Sequence, residues 1–224
     1  NCDIEALDIQ HETDGLYAAS GDDTPRPGHL YRVDKDNGDL FDLADLDAQT
    51  ADGKITELKE IDTISFHPKT GDLWGWAQSE GLFTIPKALL PTQGPQIDSP
   101  CQKKPSVPTV VGDWAIPTQD PEEVEAITWN WEGNVLYWVE NCHTDPVDSH
   151  GAHEDGWPGP NYDFDFDCGI RLGGVAYDSS NQLVIGELCP DLAPLVAQKL
   201  GAPAEIEGLE SLPESLLPND VNPE

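Results

Sequence analysis

The sequence predicts an all-β fold, and three observations support this. Twenty Gly and 20 Pro among 224 residues divide the chain into short segments and leave few windows for helices. Apolar segments recur as a strand, a turn and a second strand. Seven Trp, five Tyr and five Phe supply large apolar side chains for a core. We therefore expect residues 1–224 to form one all-β domain.

A repeated opening pattern divides this domain into units. An apolar residue, an acid, a small residue and an aliphatic residue follow one another in Ile4-Glu5-Ala6-Leu7 and in Val124-Glu125-Ala126-Ile127. Units of this kind open near residues 4, 61, 124, 172 and 206, the copy at 172 with Gly173 in place of the acid.

Further strands follow the openings and define the architecture. The predicted strands are 4–9, 14–19, 28–34 and 39–43 in the first unit, 61–66, 70–76, 81–85 and 110–116 in the second, 124–129 and 132–138 in the third, and 172–177 and 181–185 in the weaker copy. Four strands per unit are typical of a propeller blade, and blades of roughly 40–50 residues make this chain short for a regular propeller. We expect a small or irregular β-propeller-like repeat with long loops; a β-sandwich of similar hairpins is the alternative. Residues 192–201 have helical spacing and a Gly stop, which predicts one short helix.

The charge of the chain limits its partners. Its 43 acidic and 11 basic residues give a net charge of −32. Because binding to phosphate requires a basic face, we expect no nucleic-acid partner. No run approaches the roughly 20 apolar residues of a membrane helix, so we expect no membrane insertion.

The five cysteines indicate an oxidising compartment. Cys2, Cys101, Cys142, Cys168 and Cys189 lack the Cys-x-x-Cys spacing of a thiolate metal site and favour scattered disulfides. The preferred pair is Cys142 with Cys168, which bracket a stretch rich in Gly, Pro and Asp. A secreted, cell-surface or periplasmic location follows from this prediction.

Histidines provide the candidate ligands for a transition metal. His143, His150 and His153 lie in one loop with several carboxylates, a combination that suits zinc, copper or nickel. A solvated acidic loop is the alternative interpretation. His67 follows a predicted strand and could meet His143 of the next blade at one end of a propeller; otherwise it is a packing histidine bonded to a backbone carbonyl.

Acidic residues provide the candidate ligands for calcium. The first strand of each blade lines the centre of a propeller, so Glu5, Asp62 and Glu125 would converge there. Carboxylates forced together require a hard cation; the alternative is that each acid bonds amides of the neighbouring blade. A second candidate site is the 162–168 segment, where alternation on an extended chain places Asp163, Asp165 and Asp167 on one face.

Two families share features with these residues. The opening Val124-Glu125-Ala126-Ile127-Thr128-Trp129, followed by Gly133-Asn134-Val135-Leu136-Tyr137-Trp138, resembles the blade openings of gluconolactonase and NHL-like calcium propellers. This resemblance implies a central calcium ion at Glu125 and lactonase-like activity. The size of the chain and its histidines are similar to the surface-associated copper-binding proteins of methane-oxidising bacteria, which implies copper at His67 and His143.

Together these observations predict a metal-binding protein outside the cytoplasm. Its partners would be metal ions, copper or another transition metal at histidines and calcium as a structural ion, with a cell-surface protein as a further partner. Signatures of nucleophilic and phosphate-binding enzymes, such as Gly-x-Ser-x-Gly, do not occur in the sequence, which favours a non-catalytic role. The alternatives are a calcium-dependent, lactonase-like hydrolase and a calcium-stabilised surface interaction module.

Overall fold

The computed structural model describes residues 4–78, 80–99, 106–118, 121, 124–141 and 170–189. These residues form 14 strands and a single turn of 3-10 helix, Lys87–Leu89. The strands are β1 (Ala6–Gln10), β2 (Gly15–Ala19), β3 (His29–Val33), β4 (Leu40–Gln49), β5 (Ile55–Glu57), β6 (Ile61–Phe66), β7 (Leu73–Ala77), β8 (Gly81–Ile85), β9 (Gln96–Ile97), β10 (Thr109–Pro117), β11 (Val124–Trp129), β12 (Val135–Asn141), β13 (Ile170–Tyr177) and β14 (Leu183–Cys189).

Within the described residues, the strands form three antiparallel units of four, which we call blades. Blade 1 is β1-β2-β3-β4, blade 2 is β6-β7-β8-β10, and blade 3 is β11-β12-β13-β14. Blades 1 and 2 are joined along their outer strands, where β4 and β10 pair in parallel. Short strands β5 and β9 also pair with β4. This arrangement gives one 10-stranded, barrel-like sheet and one separate four-stranded sheet.

The first strands of the three blades lie side by side. Strand β6 contacts both β1 and β11. The side-chain hydroxyls of Thr63 and Ser65 accept hydrogen bonds from the backbone N–H groups of Ile127 (3.0 Å) and Trp129 (3.3 Å). Each acceptor lies 64 residues before its donor, so β6 and β11 run in the same direction. Among the described residues, β1, β6 and β11 thus form a row of three inner strands.

Two apolar clusters fill the space between the blades. One is formed by blades 1 and 2 and includes Leu30, Leu46 and Phe83, all fully buried. The other is formed by blades 2 and 3 and includes Trp76 and Trp138, which are at most 1% exposed. Seven buried aromatic residues belong to these two clusters: Tyr17, Phe66, Phe83, Trp74, Trp76, Trp129 and Trp138.

These observations confirm the predicted all-β, irregular propeller-like fold. One unit boundary differs: the segment that opens near residue 172 is β13, the third strand of blade 3, and does not begin a blade. The unit predicted at 206 and the short helix predicted at 192–201 lie outside the described residues. Among the described residues, no helix is long and apolar enough to cross a membrane.

Candidate functional site at the opening ends of the blades

Three carboxylates meet where the inner strands of blades 1 and 2 begin. Glu5 precedes β1, Glu60 precedes β6, and Asp62 is the second residue of β6. One carboxylate oxygen from each lies within 4.8 Å of the other two. We call these three residues the acidic cluster. Such an arrangement of hard oxygen ligands suits a divalent cation such as calcium.

The positions of the cluster follow from the register of the inner strands. Asp8 Oδ2 accepts a hydrogen bond from the backbone N–H of Phe66 at 2.6 Å. Glu5 lies three residues before Asp8, and Asp62 lies four residues before Phe66, so both acids occur at the same end of neighbouring strands. Glu5 and Asp62 are the second residues of their repeat openings, and these equivalent positions therefore lie close together in the structure.

Two further residues shape the acidic cluster. A Cβ at Gly21 would lie 2.0 Å from Glu5 Oε2, so the lack of a side chain at residue 21 leaves room for the carboxylate. The amide of Gln78, oriented to donate, lies 3.1 Å from Glu60 Oε1. Gln78 lies in the β7–β8 turn of blade 2, so this contact is made within blade 2, and Glu5 is the cluster residue from blade 1.

The other predicted calcium ligands are distributed differently. Glu125 occupies the equivalent position in β11 and is half-buried, but the group of three carboxylates does not include it. Asp163, Asp165 and Asp167 lie outside the described residues. The structure thus brings together two of the predicted acids, Glu5 and Asp62, and adds Glu60, which the sequence pattern did not single out.

His67 has a structural role in the turn after β6. Its Nε2 lies 2.9 Å from the carbonyl oxygen of Gly133, and its Nδ1 accepts hydrogen bonds from the backbone N–H groups of Lys69 and Thr70, each at 3.2 Å. The ring also packs edge-on against Trp129, with centroids 4.6 Å apart. These contacts use both ring nitrogens, so this conformation leaves His67 no nitrogen for a metal.

His67 lies far from Asn141, the last described residue of β12. His67 contacts the turn that follows β11, whereas β12 ends at Asn141, beside the start of β11. The six residues of β11 span about 20 Å. His67 and Asn141 are therefore at opposite ends of blade 3, and the predicted site of His67 with His143 stays a prediction. His143, His150 and His153 themselves lie outside the described residues, as do Cys142 and Cys168.

A buried polar group that sequence reasoning missed lies in blade 1. Asp42 is fully buried and forms an ion pair with Arg26, which is 7% exposed. Asp42 Oδ1 also lies 3.0 Å from Nδ1 of His29, and on the other side of this ring Nε2 lies 3.9 Å from Asp45 Oδ1. His29 is thus held between two carboxylates of the same strand.

The charges around His29 determine its protonation. Burial, and secondarily the positive charge of Arg26, lower the pKa of His29 to about 4. The Asp42 carboxylate does not reverse this shift, because Arg26 already balances its charge. Burial together with the charges of Asp47 and Glu57 raises the pKa of Asp45. At neutral pH His29 is therefore a neutral imidazole. It lies beside Asp45, whose ionised form is disfavoured by burial and by the negative charges of Asp47 and Glu57.

A β-bulge brings Asp42 and Asp45 to the same ring. Residues three apart on a regular strand point to opposite faces. The pairing of β3 with β4 shifts between Leu30 and Tyr31, because Leu30 pairs with Ala44 but Tyr31 pairs with Asp42. The extra residue resets the alternation, and both acids then flank His29. No sequence pattern in this region marks the bulge, so the sequence alone could not reveal the group.

Among known proteins, the chain has a distant structural similarity to a nutrient binding protein. No protein-family model matches the chain, and no curated protein matches it at a significant level. The structure is similar to that of an auxiliary nutrient binding protein from Bacteroides thetaiotaomicron, with a TM-score of 0.42 and 14% sequence identity, over 84% of this chain and 32% of that chain. The chain thus spans less than a third of that protein's length. A similarity this distant says nothing about what the present chain binds.

Proposed function

We propose that the chain is a non-catalytic, calcium-binding protein of an extracytoplasmic compartment, and that calcium occupies the acidic cluster of Glu5, Glu60 and Asp62. The observation that supports this proposal is the approach of three carboxylate oxygens to within 4.8 Å of one another. Negative charges at this separation repel one another, and a divalent cation between the carboxylates would reduce that repulsion. Calcium accepts carboxylate oxygens in flexible geometry, and its remaining ligands can be water.

The surroundings of the acidic cluster favour this ion further. The chain carries a net charge of −32, which attracts divalent cations and opposes the compact state through self-repulsion. A calcium ion shared by Glu5 of blade 1 and Asp62 of blade 2 would fasten the two inner strands at their opening ends. Extracellular calcium-binding modules have dissociation constants of about 10⁻⁴–10⁻³ M. This range fits a cluster outside the cytoplasm whose three ligands range from exposed to buried.

The experiment is a thermal unfolding series on chelator-treated, dialysed protein. Calcium should raise the melting temperature of the wild type more than magnesium or sodium chloride does at the same ionic strength, since a ligand that binds the native state stabilises it. Glu5→Gln and Asp62→Asn each remove a ligand charge and should weaken calcium binding by roughly tenfold or more. Glu132→Gln is the matched control, because Glu132 is an exposed acid in the turn after β11. Equal responses to calcium in all four proteins would contradict the proposal.

A further inference from the structure

The two nitrogens of His29 face two carboxylates in different ways. Asp42 forms an ion pair with Arg26 and is therefore ionised, so it can only accept hydrogen bonds. Nδ1, at 3.0 Å from Asp42 Oδ1, must carry the ring proton of a neutral imidazole. Nε2 is then left with a lone pair, and this lone pair faces the carboxylate of Asp45.

The gap between Nε2 and Asp45 is too long for a hydrogen bond but suits a bridging ion. The two acceptor atoms are 3.9 Å apart. Zinc forms bonds of about 2.0–2.1 Å to histidine nitrogen and about 2.0–2.2 Å to carboxylate oxygen. An ion between the two atoms can therefore reach both without a large rearrangement of either side chain.

We propose that His29 Nε2 and Asp45 Oδ1 are ligands of a borderline divalent transition metal, represented experimentally by Zn²⁺, and that Asp42 positions the ring for this role. A carboxylate that accepts the second ring N–H is the usual partner of a metal-binding histidine, because it fixes the tautomer and the orientation of the ring. Asp42, fully buried and held by Arg26, provides this support before any metal binds.

Local geometry and charge point to the same ligand class. His29 and Asp45 are cross-strand partners in β3 and β4, and the bulge turns Asp42 towards the same ring. The negative charges of Asp47 and Glu57, which pair across β4 and β5, act on Asp45. The side chain of Asp45 is 33% exposed and that of His29 is 12% exposed, so an ion can enter from solvent and retain water ligands. An imidazole nitrogen beside carboxylate oxygens favours zinc and other divalent transition metals over calcium.

This site goes beyond the proposed calcium function, since it shares no residue with the acidic cluster. It also differs from the predicted histidine site, because it uses neither His67 nor His143. The two metal proposals can therefore fail independently.

The test is a Zn²⁺ titration of the full chain in excess calcium, followed by nitrogen-15 NMR of the imidazole rings. The His29 Nε2 resonance should move from the position of an unprotonated nitrogen towards that of a metal-bound one, while Nδ1 keeps its proton. Asp45→Asn should weaken this response at least about tenfold, because it removes the anionic ligand. Glu5→Gln should leave it unchanged, which separates this proposal from the calcium one.

Two variants complete the design. His29→Asn retains an N–H donor near the position of Nδ1 but lacks Nε2, so it should lose the site, whereas His11→Asn, which alters an exposed histidine, should keep it. If His29→Asn does not fold, assignment of the His29 ring through its own carbon-bound protons and the Asp45→Asn response still provide the test. An unmoved His29 Nε2 resonance, or an unchanged response in Asp45→Asn, would overturn the proposal.

Discussion

Asp8 of β1 accepts a hydrogen bond from the backbone N–H of Phe66 in β6, at 2.6 Å across 58 residues of sequence. The same relationship recurs one blade later, where Ser65 accepts from the N–H of Trp129 at 3.3 Å. Asp8 and Ser65 occupy the same position of their repeat openings, and so do Phe66 and Trp129. The inner strands are therefore joined by side-chain oxygens that take the place of a backbone ladder.

This relationship predicts that Asp8 contributes measurably to stability. Asp8→Ala removes the acceptor and leaves the N–H of Phe66 without this partner, so we expect a loss of about 1–3 kcal/mol in the free energy of unfolding. Asp8→Asn retains an acceptor oxygen and should cost less. Urea unfolding followed by tryptophan fluorescence measures both values.

The corresponding change one blade later provides the comparison. Ser65→Ala should destabilise less than Asp8→Ala, because the lost hydrogen bond is longer and its acceptor is neutral. A larger cost for Ser65→Ala, or no cost for Asp8→Ala, would show that the inner strands are joined by other contacts.

Gly173 marks a position where blade 3 cannot accommodate a side chain. A Cβ there would lie 2.0 Å from Cζ2 of Trp138 and 2.5 Å from the carbonyl oxygen of Gly186. Because Trp138 is 1% exposed, its ring has little space into which it can move. Gly173→Ala should therefore cost about 1–3 kcal/mol through overpacking.

Gly186→Ala is the matched control for this prediction. Gly186 lies in the adjacent strand β14, and an added Cβ would meet no atom within 4 Å. Its effect should stay within about 0.5 kcal/mol. Thermal unfolding of the two variants gives the comparison, and similar melting temperatures would mean that the close packing of Trp138 against Gly173 is not maintained in solution.

Gly173 also explains where sequence reasoning succeeded and where it was wrong. The openings at 4, 61 and 124 identify true inner strands, because the acid and the following residues have positional roles there. At 172 a similar run of small and aliphatic residues occurs for another reason: Gly173 has no side chain because Trp138 lies against it. A pattern of residue types cannot distinguish these two causes.

The candidate sites show the same limit. Glu5 and Asp62 could be related from the sequence, because equivalent positions of neighbouring inner strands lie close together. Glu60 and Gln78 could not, since they precede or follow strands and reach the acidic cluster through loop geometry. The group around His29 depends on a bulge that changes which face each acid occupies, and alternation in the sequence predicts the opposite arrangement for Asp42 and Asp45.

The low pKa of His29 predicts how acid affects the stability of the fold. The groups that face the ring are Arg26 from the β2–β3 loop, Asp42 and Asp45 from β4, and Tyr31 from β3. The pKa of His29 is about 4 in the folded chain, against about 6.5 when unfolded. Between these values the unfolded state binds a proton that the native state does not, so stability falls as pH decreases from about 6.5 to about 4. Protonation of His29 can lower the free energy of unfolding by no more than about 1.4 kcal/mol per pH unit.

Acids with raised pKa values have the opposite effect on the pH dependence of stability. Burial raises the pKa values of Asp45, Asp47 and Glu80, so their protonation in the native state favours folding as pH decreases. The comparison of the wild type with His29→Asn cancels these effects, because both proteins contain the same acids and the variant retains a donor for Asp42. Urea unfolding at pH 7, 6 and 5 should show a steeper loss of stability in the wild type than in His29→Asn. Parallel losses in the two proteins would show that His29 is not held neutral by its surroundings.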